Sequence, residues 1–155
     1  MQIVFDMDGT IANLYGVDNW LYSLQNSMIE PYANCNPLLE MPSLVALLEQ
    51  FRALGGIVTI VSWTAKNGSK EYNKAVRKTK IEWLKKYNMP IDHYHIVKYG
   101  TKKWYPLQEK KETILFDDNA DVRESFISKE DNRIAFDEKN ILEIVGKVVD
   151  KMRAA

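Results

Sequence analysis

The sequence is poor in cysteine and lacks any long hydrophobic run. Cys35 is the single cysteine among 155 residues, which excludes an intramolecular disulfide and a cysteine-rich zinc site and is compatible with a reducing compartment. No apolar run approaches the roughly 18 residues of a membrane-spanning helix. The first residues contain neither a basic segment nor a long apolar one. We therefore expect a cytoplasmic protein with no signal peptide and no membrane partner.

Positive charge is missing from the first third of the chain. Residues 1–51 contain six Asp or Glu and no Lys or Arg. Residues 66–111 contain thirteen Lys or Arg and four Asp or Glu, a net charge of +9, and residues 112–155 have a net charge of −4. This pattern indicates a phosphate-bearing partner near clustered carboxylates. A solvated helix face is an equally good explanation for most of these lysines.

Short apolar segments alternate with amphipathic ones along the chain. Apolar residues make up 46% of the sequence, which is enough for one core in a chain of this length. Short strands that are apolar on both faces belong to parallel sheets covered by helices, so the pattern predicts a doubly wound α/β fold. The predicted strands are Gln2–Phe5, Ile57–Val61, His93–Tyr99, Thr113–Phe116 and Arg133–Phe136. The predicted helices are Val17–Ile29, Ser43–Leu54, Ser69–Tyr87, Asn119–Ile127 and Asn140–Met152.

Three of these strands end at polar residues, namely Asp6, Ser62 and Asp117. In doubly wound sheets, ligands bind outside the carboxyl ends of the strands. We therefore expect these three side chains to meet at one edge of the sheet. The hydroxyl group of Ser62 would there be able to donate a hydrogen bond to a phosphate oxygen.

Two pairs of acidic residues lie at the ends of predicted strands. Asp6 and Asp8 are two positions apart and point the same way where the first strand ends. Such close carboxylates repel each other unless a cation lies between them, and their hard oxygen ligands suit Mg²⁺. Asp117 and Asp118 form the second pair, and one of them would complete the metal shell. Each pair taken alone also fits a surface turn or a helix cap.

The order of these features resembles the haloacid dehalogenase-like (HAD) superfamily of phosphohydrolases. Residues 6–10, Asp-Met-Asp-Gly-Thr, closely match the first motif of that family. Ser62 is similar to its second motif and Asp117-Asp118 to its fourth, so the resemblance spans residues 2 to 119. It implies a single domain over residues 1–155, with a Rossmann-like three-layer α/β/α core and a mainly parallel five-stranded sheet.

The resemblance also implies a mechanism. Asp6 would be the nucleophile that forms an aspartyl-phosphate, and Asp8 would act as general acid and then as general base. Mg²⁺ would be held by the Asp6 carboxylate, the Asp8 backbone carbonyl, and Asp117 or Asp118. Ser62 would hold a phosphoryl oxygen.

The third motif of the family is a lysine, and the sequence offers several. We favour Lys103, with Lys102 nearly as good, because both follow a predicted turn on the same rim as Ser62 and Asp117. Such a cation is needed because the aspartate, metal and phosphate together leave residual negative charge. The full set of candidates is Lys98, Lys102, Lys103, Lys110 and Lys111.

Residues 14–42 form a short cap-like insertion, too short for a helical cap domain, so we expect a fairly open site. Aromatic residues in the insertion and after the strand ends would stack on a nucleobase, which favours a nucleotide as substrate, as in the family's 5′(3′)-deoxyribonucleotidases. Packing of Trp20 and Tyr22 on the core helix is the alternative use of these rings. Two other activities stay open, namely a 3′-phosphatase on nucleic-acid ends and a protein phosphatase. A non-catalytic protein that binds phosphate is the third alternative. The aromatic residues in question are Tyr15, Trp20, Tyr22, Tyr32, Trp63, Trp104 and Tyr105.

Overall fold

A computed structural model describes residues 1–107 and 111–155 of the chain. Five strands form one sheet in the order β3-β2-β1-β4-β5, and every neighbouring pair is parallel. This confirms the predicted α/β fold with a five-stranded sheet. The strands are β1 (Gln2–Phe5), β2 (Ile57–Trp63), β3 (His93–Val97), β4 (Thr113–Phe116) and β5 (Arg133–Phe136).

Six α-helices surround the sheet within the described residues. Helices α3, α4 and α6 cover one face, where their apolar side chains join those of β1, β2 and β4 in the main core. Helix α5 packs on the other face through Val122 and Phe126. The structure is therefore a Rossmann-like three-layer fold with unequal outer layers. The helices are α1 (Trp20–Gln25), α2 (Glu30–Asn34), α3 (Met41–Ala53), α4 (Lys70–Lys86), α5 (Ala120–Phe126) and α6 (Ile141–Ala154).

Several predicted boundaries are corrected by the backbone. Helix α3 begins before Ser43, and its cap is Glu40, whose carboxylate accepts a hydrogen bond from the Ser43 N–H at 2.7 Å. Strand β2 continues past Ser62, and β3 ends at Val97, so Lys98 lies after the strand instead of inside it. Helix α4 begins where the sequence predicts, because Ser69 is its N-cap and the Ser69 Oγ accepts from the Tyr72 N–H at 3.1 Å.

The insertion 14–42 consists of a 3₁₀ turn followed by α1 and α2. It is anchored on α4, where the Tyr72 hydroxyl donates to the Met28 carbonyl at 2.7 Å and Trp83 Nε1 donates to the Cys35 carbonyl at 2.9 Å. These contacts hold the insertion beside the carboxyl ends of the strands. Among the helices of the described residues, none has the length and apolarity needed to cross a bilayer.

Candidate active site

The parallel register of the sheet brings the predicted site residues together. Phe5 at the end of β1 is level with Ile60 of β2 on one side and Phe116 of β4 on the other. The N–H of Asp6 then donates to the Phe116 carbonyl at 3.0 Å. As a result Asp6, Ser62 and Asp117 lie at one edge of the sheet, and all three are buried.

Three carboxylates meet at this edge. Ligand oxygens of Asp6, Asp117 and Asp118 lie within 4.8 Å of one another. One of them, Oδ2 of Asp117, is buried and has no hydrogen-bond partner, although Lys103 Nζ is 3.5 Å away. A buried carboxylate oxygen without a hydrogen bond is costly, and a hard divalent cation would satisfy it. The donor set therefore fits Mg²⁺, which would be held by these three carboxylates.

The loop after β1 joins the two acid pairs. The Thr10 hydroxyl donates to Asp6 Oδ2 at 3.0 Å and accepts from the Asp118 N–H at 3.1 Å. Gly9 has a φ of +80°, and a Cβ atom there would collide with the Asp118 carboxylate and the Tyr15 ring. Glycine is thus required by both the backbone conformation and the close approach of the second acid pair. Sequence reasoning had given Thr10 no role of its own.

Lys103 occupies the position expected of the third-motif lysine. Its side chain is 2% exposed, and its Nζ donates to Asp6 Oδ1 and to the Val61 carbonyl, both at 2.8 Å. Burial lowers the pKa of Lys103, but the charges of Asp6 and Asp117 more than offset that effect, so the pKa is raised. Lys103 therefore stays charged beside the nucleophile candidate.

The other predicted lysines lie elsewhere. Lys102 is exposed and lines a neighbouring cavity with Trp63 and Thr101. Lys98 is exposed after β3, and Lys111 lines a different cavity, with Gln2 and Ile57 at the amino ends of β1 and β2. The candidate Lys110 lies outside the described residues. Among the named lysines that the structure describes, Lys103 forms ion pairs with the acid cluster.

A second buried lysine, which sequence reasoning missed, lies on the other side of the site. Lys80 comes from the middle of α4 and is 1% exposed. Its Nζ donates to Asp8 Oδ2 at 2.7 Å, to Ser62 Oγ at 2.8 Å and to the Trp63 carbonyl at 2.7 Å. The carboxylate of Asp8 is thus turned toward this lysine and away from the three-carboxylate cluster, which leaves the backbone carbonyl of Asp8 as its predicted metal ligand.

A signal for Lys80 was present in the helical spacing. The buried positions of α4 are Tyr72, Val76, Lys80, Trp83 and Leu84, which recur every three or four residues. A lysine at such a position on the apolar stripe of a helix needs a buried partner. Lys80 takes the inward position on this stripe, and the adjacent apolar Ile81 is only partly buried.

The electrostatics of the carboxylates follow from burial and crowding. Burial raises the pKa of Asp8, although the Lys80 ammonium opposes the shift. Burial and the nearby charge of Asp6 raise the pKa values of both Asp117 and Asp118 to about 7. These carboxyls therefore hold protons more readily than ordinary ones when no cation is bound.

A cavity of about 420 Å³ opens above the acid cluster. Tyr15 and Trp20 of the insertion form an edge-to-face pair on one side, with ring centroids 4.8 Å apart. Trp63 and Tyr99 form a tilted pair, also at 4.8 Å, among the residues lining the same cavity. The insertion therefore supplies part of the lining and partly covers the cavity.

The predicted rim aromatics divide into two groups. Tyr32 lines the cavity and lies against Lys80, whose Nζ is 5.1 Å from the ring centroid. Tyr22 is 64% exposed, so its predicted packing on the core helix is wrong. Trp104 stacks against Arg133 beside β5, and Tyr105 lies next to Trp104. Tyr15, Trp20, Tyr32 and Trp63 thus line the cavity, whereas Tyr22, Trp104 and Tyr105 do not.

Neither the models of known protein families nor the curated proteins compared with the chain match it.

Proposed function

We propose that this protein is a Mg²⁺-dependent phosphatase of the HAD-like type, which hydrolyses a phosphate monoester through an aspartyl-phosphate on Asp6. The observation that carries the proposal is the convergence of three carboxylates and two buried lysines beneath one cavity. Buried charges are costly unless they are paired, so a structural role alone gives no reason to collect so many of them at one edge of the sheet.

The half of the site around Asp6 would carry the bond-forming step. A carboxylate oxygen of Asp6 attacks phosphorus while the bond between phosphorus and the leaving oxygen breaks. Lys103 and Thr10 each hold one carboxylate oxygen of Asp6, at 2.8 and 3.0 Å, which fixes the orientation of the nucleophile. Lys103 also supplies positive charge where the anionic phosphate approaches the anionic nucleophile.

The half around Asp8 would handle the protons. Asp8 has a raised pKa, which supports a carboxyl that donates a proton to the leaving oxygen in the first step. In the second step, Asp8 takes a proton from the water that attacks phosphorus, while the bond between phosphorus and the Asp6 oxygen breaks. Inorganic phosphate leaves, the Asp6 carboxylate is free again and Asp8 is again protonated. Lys80 positions Asp8 and Ser62 together. Ser62 is fully buried and does not line the cavity, so it would support Lys80 and Asp8 instead of holding a phosphoryl oxygen as the sequence had suggested.

A divalent cation fits beside these residues. When bound by Asp6, Asp117 and Asp118, Mg²⁺ would neutralise charge on the transferring phosphoryl group. The Asp117 oxygen that lacks a hydrogen bond supports this assignment.

The cavity supports a nucleoside monophosphate as the substrate. Its volume of about 420 Å³ is within the range typical of small-molecule sites. Aromatic rings from the insertion and from β2 offer stacking surfaces for a base. The insertion itself contains no Lys or Arg, which suits an uncharged group lying away from the phosphate.

The test is a hydrolysis assay on nucleoside monophosphates, sugar phosphates, phosphorylated oligonucleotides and a phosphopeptide, with and without Mg²⁺. Asp6→Asn should abolish release of phosphate while the protein stays folded. Asp137→Asn is the matched control, because Asp137 follows β5 at the same edge of the sheet and its carboxylate accepts only from the Lys139 N–H among the described contacts. Equal activity of the two variants would remove Asp6 as nucleophile. Substrate binding without turnover by the unaltered protein would support a non-catalytic role.

A further inference from the structure

Outside the site, α4 carries a large excess of positive charge. This helix carries six exposed Lys or Arg and two exposed Glu, in a chain whose net charge is zero. Five of the cations recur at helical spacing and so lie on one side of the helix. We call these five residues the basic stripe, and they are Lys70, Lys74, Arg77, Lys78 and Lys85.

The basic stripe runs along the β3 edge of the sheet. Arg77 fixes its position, because its Nε donates to the carbonyl of Ile96 in β3 at 2.9 Å, and β3 is an edge strand. From Lys70 to Lys85 the stripe extends about 22 Å at 1.5 Å per residue. Lys98 follows β3 and is also exposed, so positive charge continues to the edge of the sheet that holds the cavity.

The protein itself offers this stripe little compensation. Lys74 is four residues from both Lys70 and Lys78, and like charges at that spacing repel each other. Within the part of the chain that the structure describes, the ion pair on the stripe is that of Lys78 with Glu82, at 4.0 Å between highly exposed side chains. An anionic partner with regularly spaced charges would relieve the repulsion.

The opposite side of α4 argues against a lipid surface as that partner. Tyr72, Val76, Trp83 and Leu84 are buried in the interior of the protein, so the helix has no apolar face left to insert into a bilayer. What remains is a straight row of cations, which complements a phosphate backbone. We propose that the basic stripe binds nucleic acid, outside the cavity and independently of the phosphatase reaction.

The test measures binding of a fluorescent single-stranded oligonucleotide, and of its duplex, at several salt concentrations in chelator. We plot the logarithm of the association constant against the logarithm of salt concentration. If all five cations of the stripe contact phosphates of the single strand, the slope of this plot should be about −3.5. The double variant Lys74→Gln, Lys78→Gln should make this slope shallower by about 1.4 and weaken binding about tenfold or more at 0.1 M salt.

Lys147→Gln, Lys151→Gln on α6 is the matched control, because both lysines are highly exposed and the change in net charge is the same. This control should bind like the unaltered protein, and the α4 variant should keep full activity on mononucleotides. An equal loss in both variants, or no binding of either oligonucleotide at low salt, would overturn the proposal. Binding to phosphatidylserine vesicles but not to oligonucleotides would overturn it in favour of a membrane.

Discussion

Two buried lysines reach the same sheet edge from different parts of the fold. Lys103 comes from the segment after β3 and contacts Asp6 and Asp117, whereas Lys80 comes from the middle of α4 and contacts Asp8 and Ser62. Each aspartate of the first acid pair thus has a cation of its own. The comparison divides the candidate site into a half that would bind metal and form the covalent bond and a half that would move protons.

The two halves also differ in how much charge they balance. Lys103 faces a cluster of three carboxylates with one oxygen that lacks a hydrogen bond, so that half needs a further cation. Lys80 faces one carboxylate and donates to two more oxygens, so its half is already balanced. Removing either lysine should therefore impair catalysis, but only the loss of Lys103 should alter metal binding.

The largest effect within this comparison is expected from Lys103→Met, measured in the presence of Mg²⁺. The value of kcat/KM should fall about 1,000-fold, since a buried cation beside developing negative charge is lost. Mg²⁺ should bind more tightly in a calorimetric titration, because the three carboxylates lose a competing positive charge. Weaker Mg²⁺ binding, or activity close to that of the unaltered protein, would break the distinction between the halves.

Lys80→Met should lower kcat/KM about 100-fold, because Asp8 and Ser62 lose the group that positions them. Its Mg²⁺ affinity should equal that of the unaltered protein. Lys78→Met is the control on the same helix, since Lys78 is exposed and far from the acids, and it should leave both quantities unchanged. A changed Mg²⁺ affinity in Lys80→Met would show that the two halves are not separate.

Trp20→Ala should raise KM for a nucleoside monophosphate about tenfold, since one stacking surface for the base is removed. The kinetic constants for glycerol phosphate, which has no ring to stack, should not change. Trp104→Ala is the control and should affect neither substrate, because Trp104 stacks against Arg133 and does not line the cavity. An equal loss on both substrates would place Trp20 in the structure of the insertion and not in base binding.

The smallest expected effect is on stability. The pKa values of Asp117 and Asp118 are raised from 3.8 to about 7 in the folded, metal-free protein. The folded state therefore binds more protons than the unfolded chain between these values, and its stability should fall as the pH rises from about 4 to about 7. Mg²⁺ should offset that loss by binding the ionised carboxylates. Thermal unfolding at several pH values, with Mg²⁺ or chelator, measures how Tm changes with pH. In Asp117→Asn this change of Tm with pH should be smaller.

The strands and the acid pairs were predictable because their signals are local. A short apolar run followed by Asp marks the end of a buried strand, and parallel strands bring such ends to one edge. Asp6, Ser62 and Asp117 were placed together on that ground, and the structure does bring them together. Lys103 was chosen for the same reason, since it follows a turn beyond β3.

Lys80 and the lining of the cavity were not predictable in the same way. Lys80 lies in a helix with six other Lys or Arg, so charge alone could not single it out, and only its place on the buried stripe could have done so. Which aromatic residues of the insertion line the cavity depends on how the insertion packs against α4. No local sequence pattern encodes that packing. Tyr22 shows this, because it belongs to the insertion but is exposed and does not line the cavity.

The most direct test of the central claim is to identify the residue that receives the phosphoryl group. Acid quenching during turnover, followed by borohydride reduction and mass spectrometry, converts an aspartyl-phosphate to homoserine at the modified position. Asp8→Asn should increase the yield, because it slows breakdown of the intermediate. The account predicts homoserine at position 6 and only in the presence of Mg²⁺ and substrate. Homoserine at position 8 or 117, or unmodified Asp6 throughout active turnover, would contradict it.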